Sequence, residues 1–418
     1  MKVLWFVNNP SNFKKQKGGY NGCGWISSME NAVSKCKGID LKVSFILDDK
    51  NFCIRQGNVT YYPIKPKKEN LLGLLYNTIN FDTTFSIDQY DYYLCQMQKV
   101  IIDSKPDIIH VFGSENIFGL VSQVTNIPIV LHIQGILEPY LNAFLPPFES
   151  WSSYIFKNKS ILSMYKNWRD KYHMLRGVKR EEFILQNIFN YIGRTEWDYR
   201  ITKLLNPKAN YYYGGEILRQ PFYTNESRSI PSKLKIISTI SAPIYKGFDL
   251  ILKTVNLLLA KGNIDFVWHI YGNVNYKVCK HMSKYIILKG VVDAEQLKDD
   301  ILTATAYVHP SYIDNSPNSV CEAQILGCPV IATNVGGVSS LIVNSETGFL
   351  IPANDPYQLA YLLLLLYNDK QLNIDMGIKA KEIARKRHSV NDIVNSILNT
   401  YNLILEKNVK VFYSYCLF

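Results

Sequence analysis

Two carboxylates, Asp314 and Glu322, lie eight residues apart within HPSYIDNSPNSVCEAQILGCPVIATNVGGVSSLI, which begins at His309. Asp314 falls among turn-forming residues, and Glu322 falls about one turn inside a predicted helix, Asn318–Leu326. A helix N-terminus presents unpaired N–H groups and attracts phosphate. The segment therefore offers an anion cradle and a carboxylate that can accept two sugar hydroxyls. Alone, the two acids would suggest a general acid/base couple, although two ordinary solvated side chains would be the simpler interpretation.

The ends of this predicted helix have local signals. Ser316 or Asn318 can cap its first turn, and Gly327 can end it. The next residues, Pro329–Thr333, read as a short buried strand, and a Gly336-Gly337 turn follows.

A second group that could meet phosphate is Lys246, in the run SAPIYKGFD. It follows a predicted strand, Leu234–Ile240, and precedes a glycine that opens a helix. A lysine in this position can place a point charge on a diphosphate leaving group. A lone lysine would otherwise be an ordinary surface residue.

Together these segments resemble the E-x7-E region and the Lys-Gly motif of family-4 retaining glycosyltransferases of the GT-B fold. The resemblance implies that Glu322 binds the ribose of a nucleotide-sugar donor, that Asp314 faces the donor's sugar, and that Lys246 contacts the diphosphate. Asn318 and Ser319 would help to hold the diphosphate at the helix N-terminus. The resemblance is strong over about Leu234–Ile351 and diffuse over the first half.

The sequence departs from the family at two points. The first acid is Asp314, where the family usually has glutamate, and this could alter the sugar contacts. Family members often carry an arginine six residues before the lysine, where this chain has Ile240. One phosphate contact is therefore missing or supplied elsewhere, with Ser238, Thr239 and Ser241 as candidates for weaker compensation.

Candidates in the first half lie after predicted strands. His132 ends a strand at Ile129–Ile133, where ligands bind in open α/β sheets, although a buried structural histidine is the plain alternative. The family carries a histidine here, near the donor sugar, which implies a role in orienting the sugar and stabilising charge. In the loop KGGYNGCGW, Gly19 and Gly22 are predicted to approach the donor. Gly272, at the end of another predicted strand, is a further nucleotide-sugar contact.

The glycine-rich loop could also belong to a dinucleotide-binding site, because Asp48 ends the second predicted strand, where that fingerprint places an acid. The third glycine of that fingerprint is replaced by Ser27, and the loop starts about ten residues after the strand, so this signal is weak. A flexible loop without a ligand is the other alternative.

The run YIGRTEWD from Tyr191 to Asp198 predicts a strand and a helix capped by Thr195. Arg194 and Glu196 could face the cleft or form a structural ion pair. A similar run occurs in bacterial polysaccharide members of the family, without a role that we can assign.

The segment Pro146–Arg180, which we call the basic aromatic segment, contains seven large aromatic residues, eight lysines and arginines, and two acids. Its net charge is +6. Such a mixture suits a membrane interface. Single-stranded nucleic acid, or a solvated helix pair that packs its aromatics on the domain, are the alternatives.

The elements that position these residues alternate between strand and helix in both halves. Short apolar runs separated by helical patterns indicate α/β domains with buried parallel sheets. We predict two Rossmann-like domains that face each other across a cleft, the GT-B architecture. Residues 1–215 form the acceptor-side domain, 216–390 the donor domain, and 391–418 a C-terminal helix that, by the resemblance, crosses back to the first domain.

The bulk composition is that of a globular protein of 418 residues, 47% hydrophobic, with a net charge of +11. The charge favours an anionic partner. Eight scattered cysteines form no Cys-x-x-Cys pair, and neither a membrane helix nor a signal peptide is predicted, so we expect a cytoplasmic protein. Contact with the inner face of the plasma membrane is the further expectation. No Asp-x-Asp motif is present to carry a divalent metal.

The function predicted is a metal-independent retaining glycosyltransferase that uses a nucleotide-diphosphate sugar as co-substrate and no cofactor. By resemblance, its acceptor is a saccharide or lipid-linked saccharide of a bacterial surface polysaccharide, such as capsule, O-antigen or exopolysaccharide. The alternatives are a GT-B enzyme of other chemistry, such as a nucleotide-sugar epimerase, and a basic protein that binds membrane or nucleic acid.

Overall fold

The computed structural model describes residues 1–13, 24–67, 87–157, 160–276 and 278–415. They form two α/β units, each built on one sheet, with a cavity between them at the carboxyl ends of their strands. No helix within these ranges combines the length and the apolar character needed to cross a bilayer.

The first sheet has eight strands: β1 Lys2–Phe6, β2 Asp40–Ile46, β3 Ile54–Gln56, β4 Val59–Ile64, β5 Ile108–Phe112, β6 Ile129–His132, β7 Asn190–Gly193 and β8 Asn210–Tyr213. Their order is β3-β4-β2-β1-β5-β6-β7-β8, and the one antiparallel pair among them is β3 with β4. All five residues of β5 are buried, as expected of a central parallel strand covered on both faces.

The helices of this unit are α1 Gly24–Val33, α2 Ile87–Ser104, α3 Leu137–Asn142, α4 Trp151–Phe156, α5 Ile161–Asn187 and α6 Glu196–Leu205. Among them, α5 is the longest, with 27 residues that include much of the basic aromatic segment. Thr195 caps α6 as predicted, since its hydroxyl accepts from the Asp198 N–H in a reciprocal capping box.

The second sheet is entirely parallel over its described strands: β9 Leu234–Thr239, β10 Phe266–Tyr271, β11 Ile286–Gly290, β12 Ala306–His309, β13 Val330–Thr333 and β14 Phe349–Ile351. Its order is β11-β10-β9-β12-β13-β14. The helices that cover it are α7 Phe248–Lys261, α8 Ala294–Leu302, α9 Asn318–Ile325, α10 Pro356–Asn368 and α11 Lys370–Arg387.

The last helix, α12 Val390–Tyr415, packs on the first unit. Ile393, Ile397 and Tyr401 are buried in the same core as Val3 and Trp5 of β1. Trp5 Nε1 donates to the Tyr401 hydroxyl at 3.1 Å. The predicted fold class is confirmed, including the helix that returns to the first domain.

The strands that sequence reasoning missed lie at the edges of the sheets, except for β4, which lies between β3 and β2. The β3–β4 hairpin, β8 and β14 were not predicted, and β3 and β14 have only three residues each. Strands this short carry little periodicity, so their pairing depends on the sheet that they join.

Candidate active site

The cavity between the two units has a volume of about 410 Å³. It is lined from the first unit by Asn9, Gly24, Trp25, Ile26, Gln134 and Arg194; from the connection between the units by Glu216 and Arg219; and from the second unit by Thr239, Ile240, Ser241, Lys246, Tyr271, Gly272, Val291, Val292, Leu297, Asp314, Ser316, Pro317, Asn318, Ser319 and Glu322. Asp314, Glu322 and Lys246 therefore meet in one cavity, as predicted.

Two glycine contacts fix the backbone around Asp314. Gly336 has a φ of +52°, and a Cβ there would overlap the Asp314 carbonyl oxygen. The Gly337 N–H donates to that same carbonyl at 3.0 Å. The Gly-Gly turn thus supports the loop that carries the acid. Gly247, with a φ of +69°, packs in the same way against the Pro310 carbonyl and brings Lys246 to the loop.

The Asp314 carboxylate contacts four groups. Lys246 Nζ lies 2.5 Å from its Oδ2, and His309 Nε2 lies 3.0 Å from the same oxygen. The Tyr140 hydroxyl, from the first unit, and the Asn315 N–H each donate to Oδ1 at 3.1 Å. The side chain is thus held from both units, and Lys246 is its ion-pair partner.

Electrostatics keep this buried acid ionised. Burial alone would raise the pKa of Asp314, but the Lys246 charge and the contact with His309 outweigh it and hold the pKa well below its usual range. Burial also acts to lower the pKa of Lys246, yet the Asp314 charge raises it overall. Burial lowers the pKa of His309, although the hydrogen bond and charge of Asp314 act to raise it. Aspartate and ammonium therefore both stay charged near neutral pH.

Glu322 is 3% exposed and is held by a guanidinium. Arg219 donates from Nε to Oε1 at 2.7 Å and from Nη2 to Oε2 at 2.8 Å, which is the bidentate geometry of a strong pair. The Arg219 guanidinium also lies 4.9 Å from the Phe222 ring. Burial raises the pKa of Glu322, and the bonds and charge of Arg219 only partly offset this.

The N-terminus of α9 opens onto the cavity without a side-chain cap. The predicted caps, Ser316 and Asn318, are wrong, because the N-cap residue is Pro317 and no side chain bonds the first turn. Ser316 Oγ lies 3.4 Å from Glu216 Oε2, and Asn318, with its amide oriented to donate, places Nδ2 2.5 Å from that oxygen. The first N–H groups of α9 therefore remain directed at the cavity.

Arg194 lies on the opposite wall and forms a buried ion pair with Glu216. Its Nη2 donates to the carbonyl oxygens of Ile133 at 3.0 Å and Gln134 at 3.3 Å. The guanidinium also lies 5.1 Å from the Trp25 ring. Of the two candidates in this run, Arg194 faces the cavity. Glu196 instead accepts a hydrogen bond from the exposed Tyr213 hydroxyl.

A buried polar contact joins the two units beside the cavity. Asn315 Nδ2 donates to Asp198 Oδ2 at 2.9 Å, and Thr195 Oγ1 donates to Asn315 Oδ1 at 2.6 Å. Asn315 and Asp198 are both fully buried. We call these three residues the interdomain clasp. The Thr195 cap of α6 thus also serves as an anchor for the Asp314 loop.

The other predicted site residues divide into three groups. Ser241, Gly272 and Ser319 line the cavity. Gly19 and Gly22 lie outside the described residues. His132 does not line the cavity: it is fully buried, with the Trp25 ring 4.9 Å away and the His110 ring stacked 5.4 Å away. Burial lowers its pKa well below the usual value, so the structure places an uncharged ring behind Trp25.

Of the three residues proposed to replace the phosphate contact missing at Ile240, only Ser241 is placed to do so. Ser238 is buried and donates to the Val308 carbonyl at 2.7 Å. Thr239 lines the cavity, but its hydroxyl lies 2.5 Å from the Tyr307 hydroxyl, and Tyr307 also bonds Ser319. Ser241 is exposed and lines the cavity.

Sequence reasoning missed Arg219, Glu216, Tyr140 and His309 as contacts of the site. Arg219 and Glu216 fall just after the predicted domain boundary at residue 215, and Tyr140 lies more than 170 residues from its partner in the chain. Only His309, five residues before Asp314, had a local signal, because it ends a strand at the carboxyl edge of the sheet.

Comparison with known families concerns mainly the second unit. Residues 221–383 match the family model described as glycosyl transferases group 1. The capsular polysaccharide biosynthesis glycosyltransferase CapM of Staphylococcus aureus is 26% identical over 232 residues, which cover 56% of this chain and 54% of CapM. The chain thus aligns with about half of the length of this curated relative.

Solved structures resemble the chain over nearly its whole length. Sucrose-phosphate synthase from Thermosynechococcus elongatus superposes with a TM-score of 0.72 at 13% identity, over 97% of this chain and 99% of that one. Anabaena HepE, solved in complex with UDP-glucose, gives a TM-score of 0.62 at 14% identity, over 96% and 99%. The fold of this chain is GT-B.

Proposed function

We propose that this chain, whose residues 221–383 match the family model of group 1 glycosyl transferases, transfers a sugar from a nucleotide-diphosphate sugar to an acceptor hydroxyl. The observation that carries the proposal is the convergence of Glu322, Lys246 and the uncapped N-terminus of α9 on one cavity between two α/β units. A carboxylate for ribose hydroxyls and two sources of positive potential for phosphate are what a nucleotide-sugar donor requires.

The proposed reaction breaks the bond between the sugar's anomeric carbon and the diphosphate, and forms a bond from that carbon to the acceptor oxygen. Negative charge grows on the diphosphate as it leaves. Lys246 and the N–H groups at Asn318 and Ser319 are positioned to stabilise it. Asp314, ionised and held by Tyr140 and His309, orients the sugar. The released acceptor proton passes to the diphosphate.

Retention of the anomeric configuration and independence of metal are parts of the proposal that follow from the family resemblance. Protein cations and helix N–H groups then take the place of a divalent ion in neutralising the diphosphate. We expect the full rate to persist in EDTA, and we expect the product linkage, read by NMR coupling constants, to keep the donor's configuration. A rate abolished by EDTA and restored by Mg²⁺ would contradict the first expectation.

Relatives and neighbours suggest which substrates to try. CapM is named for capsular polysaccharide biosynthesis, and HepE was solved with UDP-glucose. We propose a cytoplasmic enzyme of bacterial surface polysaccharide synthesis that uses a uridine-diphosphate sugar and a saccharide or lipid-linked saccharide acceptor.

The direct test is transfer, or slow hydrolysis, of a panel of nucleotide sugars. Lys246→Ala and Glu322→Gln should each lower the rate by at least about a hundredfold, since each removes a charge-assisted contact to the donor. Lys253→Ala, an exposed lysine on α7 outside the cavity lining, is the matched control and should keep the rate. Unchanged rates in both site variants would refute the assignment. Epimerisation of the donor's sugar, without transfer to an acceptor, would indicate an epimerase.

A membrane contact is supported by the surface of the basic aromatic segment. Phe156, at the end of α4, and Ile161 and Leu162, at the start of α5, are between 65% and 84% exposed, and Phe148, just before α4, is fully exposed. Other aromatics of the segment pack on each other, as Trp168 does on Tyr172 at 4.4 Å. We propose that the exposed apolar side chains enter an anionic bilayer surface while neighbouring lysines and arginines meet the headgroups.

The membrane proposal has its own test. Vesicles with anionic lipid should sediment the wild-type protein at physiological salt, whereas a Phe156→Ser, Ile161→Ser, Leu162→Ser variant should stay in solution. Neutral vesicles are the control for charge. No sedimentation of the wild type by anionic vesicles would remove the proposal, and equal retention by single-stranded RNA would favour the nucleic-acid alternative.

A further inference from the structure

The charged residues that line the cavity balance one another. Among the described lining residues there are three cations and three acids, and each cation has an acidic neighbour. The pairs are Arg194 with Glu216, Arg219 with Glu322, and Lys246 with Asp314. A nucleotide-diphosphate sugar brings about two negative charges into this neutral lining. We therefore expect at least one pair to give its cation to the diphosphate.

The Arg194–Glu216 pair is the one least able to open. The Arg194 and Glu216 side chains are 6% and 1% exposed, and the guanidinium is also tied to two backbone carbonyls and the Trp25 ring. Release of Arg194 would remove the charge partner of the buried Glu216 and a donor to the Ile133 carbonyl, which is costly. This pair is part of the frame of the site.

The Lys246–Asp314 pair can open at lower cost to the acid. Asp314 keeps the hydroxyl of Tyr140, the N–H of Asn315 and its neighbour His309 when the lysine turns away. Lys246 is 15% exposed on a flexible stem. It provides one positive charge for the diphosphate, as proposed above, and a second cation would complete the charge balance.

Arg219 is the remaining cation and the most exposed of the three, at 21%. It comes from the connection between the two units and reaches the cavity beside the first turn of α9. Its Nε and Nη2 donate to the two oxygens of Glu322, the carboxylate that we assign to the ribose. Two ribose hydroxyls that donate to those oxygens would replace the two N–H donors of Arg219 and leave Glu322 fully bonded.

From this exchange, and resting on the proposed function, we propose that Arg219 is the second diphosphate-binding cation of this chain, released from Glu322 by the ribose of the donor. It then supplies from the interdomain connection the charge for which the end of β9, at Ile240, has no side chain. Glu322 and Arg219 thereby couple recognition of the ribose to recognition of the diphosphate, so that a nucleoside diphosphate binds as one unit.

The test compares nucleosides with their diphosphates by calorimetry, using uridine and UDP, and guanosine and GDP. Arg219→Gln should lower the affinity for the nucleoside diphosphate by about tenfold to hundredfold, which is the effect of losing one charge-assisted bond. The nucleoside itself, measured by competition at millimolar concentration, should bind Arg219→Gln as well as the wild type or better, because Glu322 is no longer occupied. Arg219→Lys should recover part of the diphosphate affinity.

The control is Arg385→Gln, which removes an exposed arginine on α11 that bonds Thr224 and Asn225 outside the cavity lining. It should change neither affinity. An equal loss for nucleoside and diphosphate in Arg219→Gln would overturn the proposal, because Arg219 would then only hold Glu322 in place. Unchanged affinity for both would overturn it as well. Failure of every diphosphate to bind the wild type would refute the proposed function itself, which is a different result.

Discussion

Asp314 has three neighbours besides Lys246, so its negative charge is fixed in place by both units of the protein. Because its pKa is held below that of an unfolded aspartate, about 3.9, its stabilisation is fully present above that pH and is lost as the pH falls below it. The Asp314–Lys246 pair therefore stabilises the folded protein at neutral pH, and this stabilisation decreases in acid.

The corresponding prediction concerns Asp314→Asn. At pH 6 the variant should lose about 3 kcal/mol of unfolding free energy, since it leaves Lys246 without its acid. The gap to the wild type should narrow by roughly 1 kcal/mol by pH 3, because Asp314 takes up a proton in the unfolded chain while it stays ionised in the folded one. Urea unfolding at both pH values measures this. A gap that does not change with pH would show that the Asp314 charge is not stabilising.

His132 gives a second residue-scale prediction. The ring is buried behind Trp25, and burial lowers its pKa well below the usual value. His132→Phe, which keeps the ring stacking with His110, should keep the transfer rate within about threefold and leave its pH profile unchanged. A hundredfold loss of rate without loss of stability would instead support the sugar-orienting role that the family resemblance implies.

At this scale the sequence predicts the residues whose neighbours are local. Glu322, Lys246, Asn318 and Ser319 carry motif signals and line the cavity. Their partners do not: Arg219 lies 103 residues from Glu322, and no spacing rule connects them. The contact between Asp314 and Lys246 was not predicted either. The sequence assigned Asp314 to the sugar and Lys246 to the diphosphate, and it did not indicate that the two side chains touch.

Among the elements, α9 and the interdomain clasp are the ones that shape the site. Gly327, at a φ of +78°, ends α9 as its sequence predicts. Its start could not be predicted, because Ser316 and Asn318 turn from the helix to Glu216, a residue about one hundred positions earlier. A tertiary hydrogen bond to a buried carboxylate has prevailed over the local capping preference.

The clasp predicts the result of Asn315→Ala. This change leaves the buried Asp198 without the amide donor that joins it to the second unit. We expect a loss of about 1–3 kcal/mol in unfolding free energy and a weaker donor affinity, because the Asp314 loop loses its anchor. Chemical unfolding and calorimetry measure the two effects. Asn225→Ala, at an exposed position, should change neither, and a silent Asn315→Ala would show that the clasp does not hold the loop.

For the whole molecule, α12 makes the two units depend on each other. It follows the helices of the second unit along the chain, yet its Ile397 is fully buried in the core of the first. Ile397→Ala should cost about 2–5 kcal/mol. We expect calorimetry to show a single transition shifted downward, since the first unit loses packing that the second supplies. Two resolved transitions in the wild type would contradict this coupling.

The two-domain architecture could be predicted from the sequence because short apolar runs alternate with helical patterns in both halves. The arrangement across the cleft could not, because it depends on pairs such as Tyr140 with Asp314 and Thr195 with Asn315. The domain limits at residues 215 and 390 stay a prediction.

The measurement that tests the central claim most directly is stabilisation of the protein by nucleoside diphosphates. At 100 times its dissociation constant, a bound diphosphate should add about 2.7 kcal/mol to the unfolding free energy of the wild type. Glu322→Gln at the same ligand concentration should show little of this gain. If no nucleoside diphosphate stabilises the wild type, or if Glu322→Gln is stabilised equally, the cavity between the two units is not the donor site.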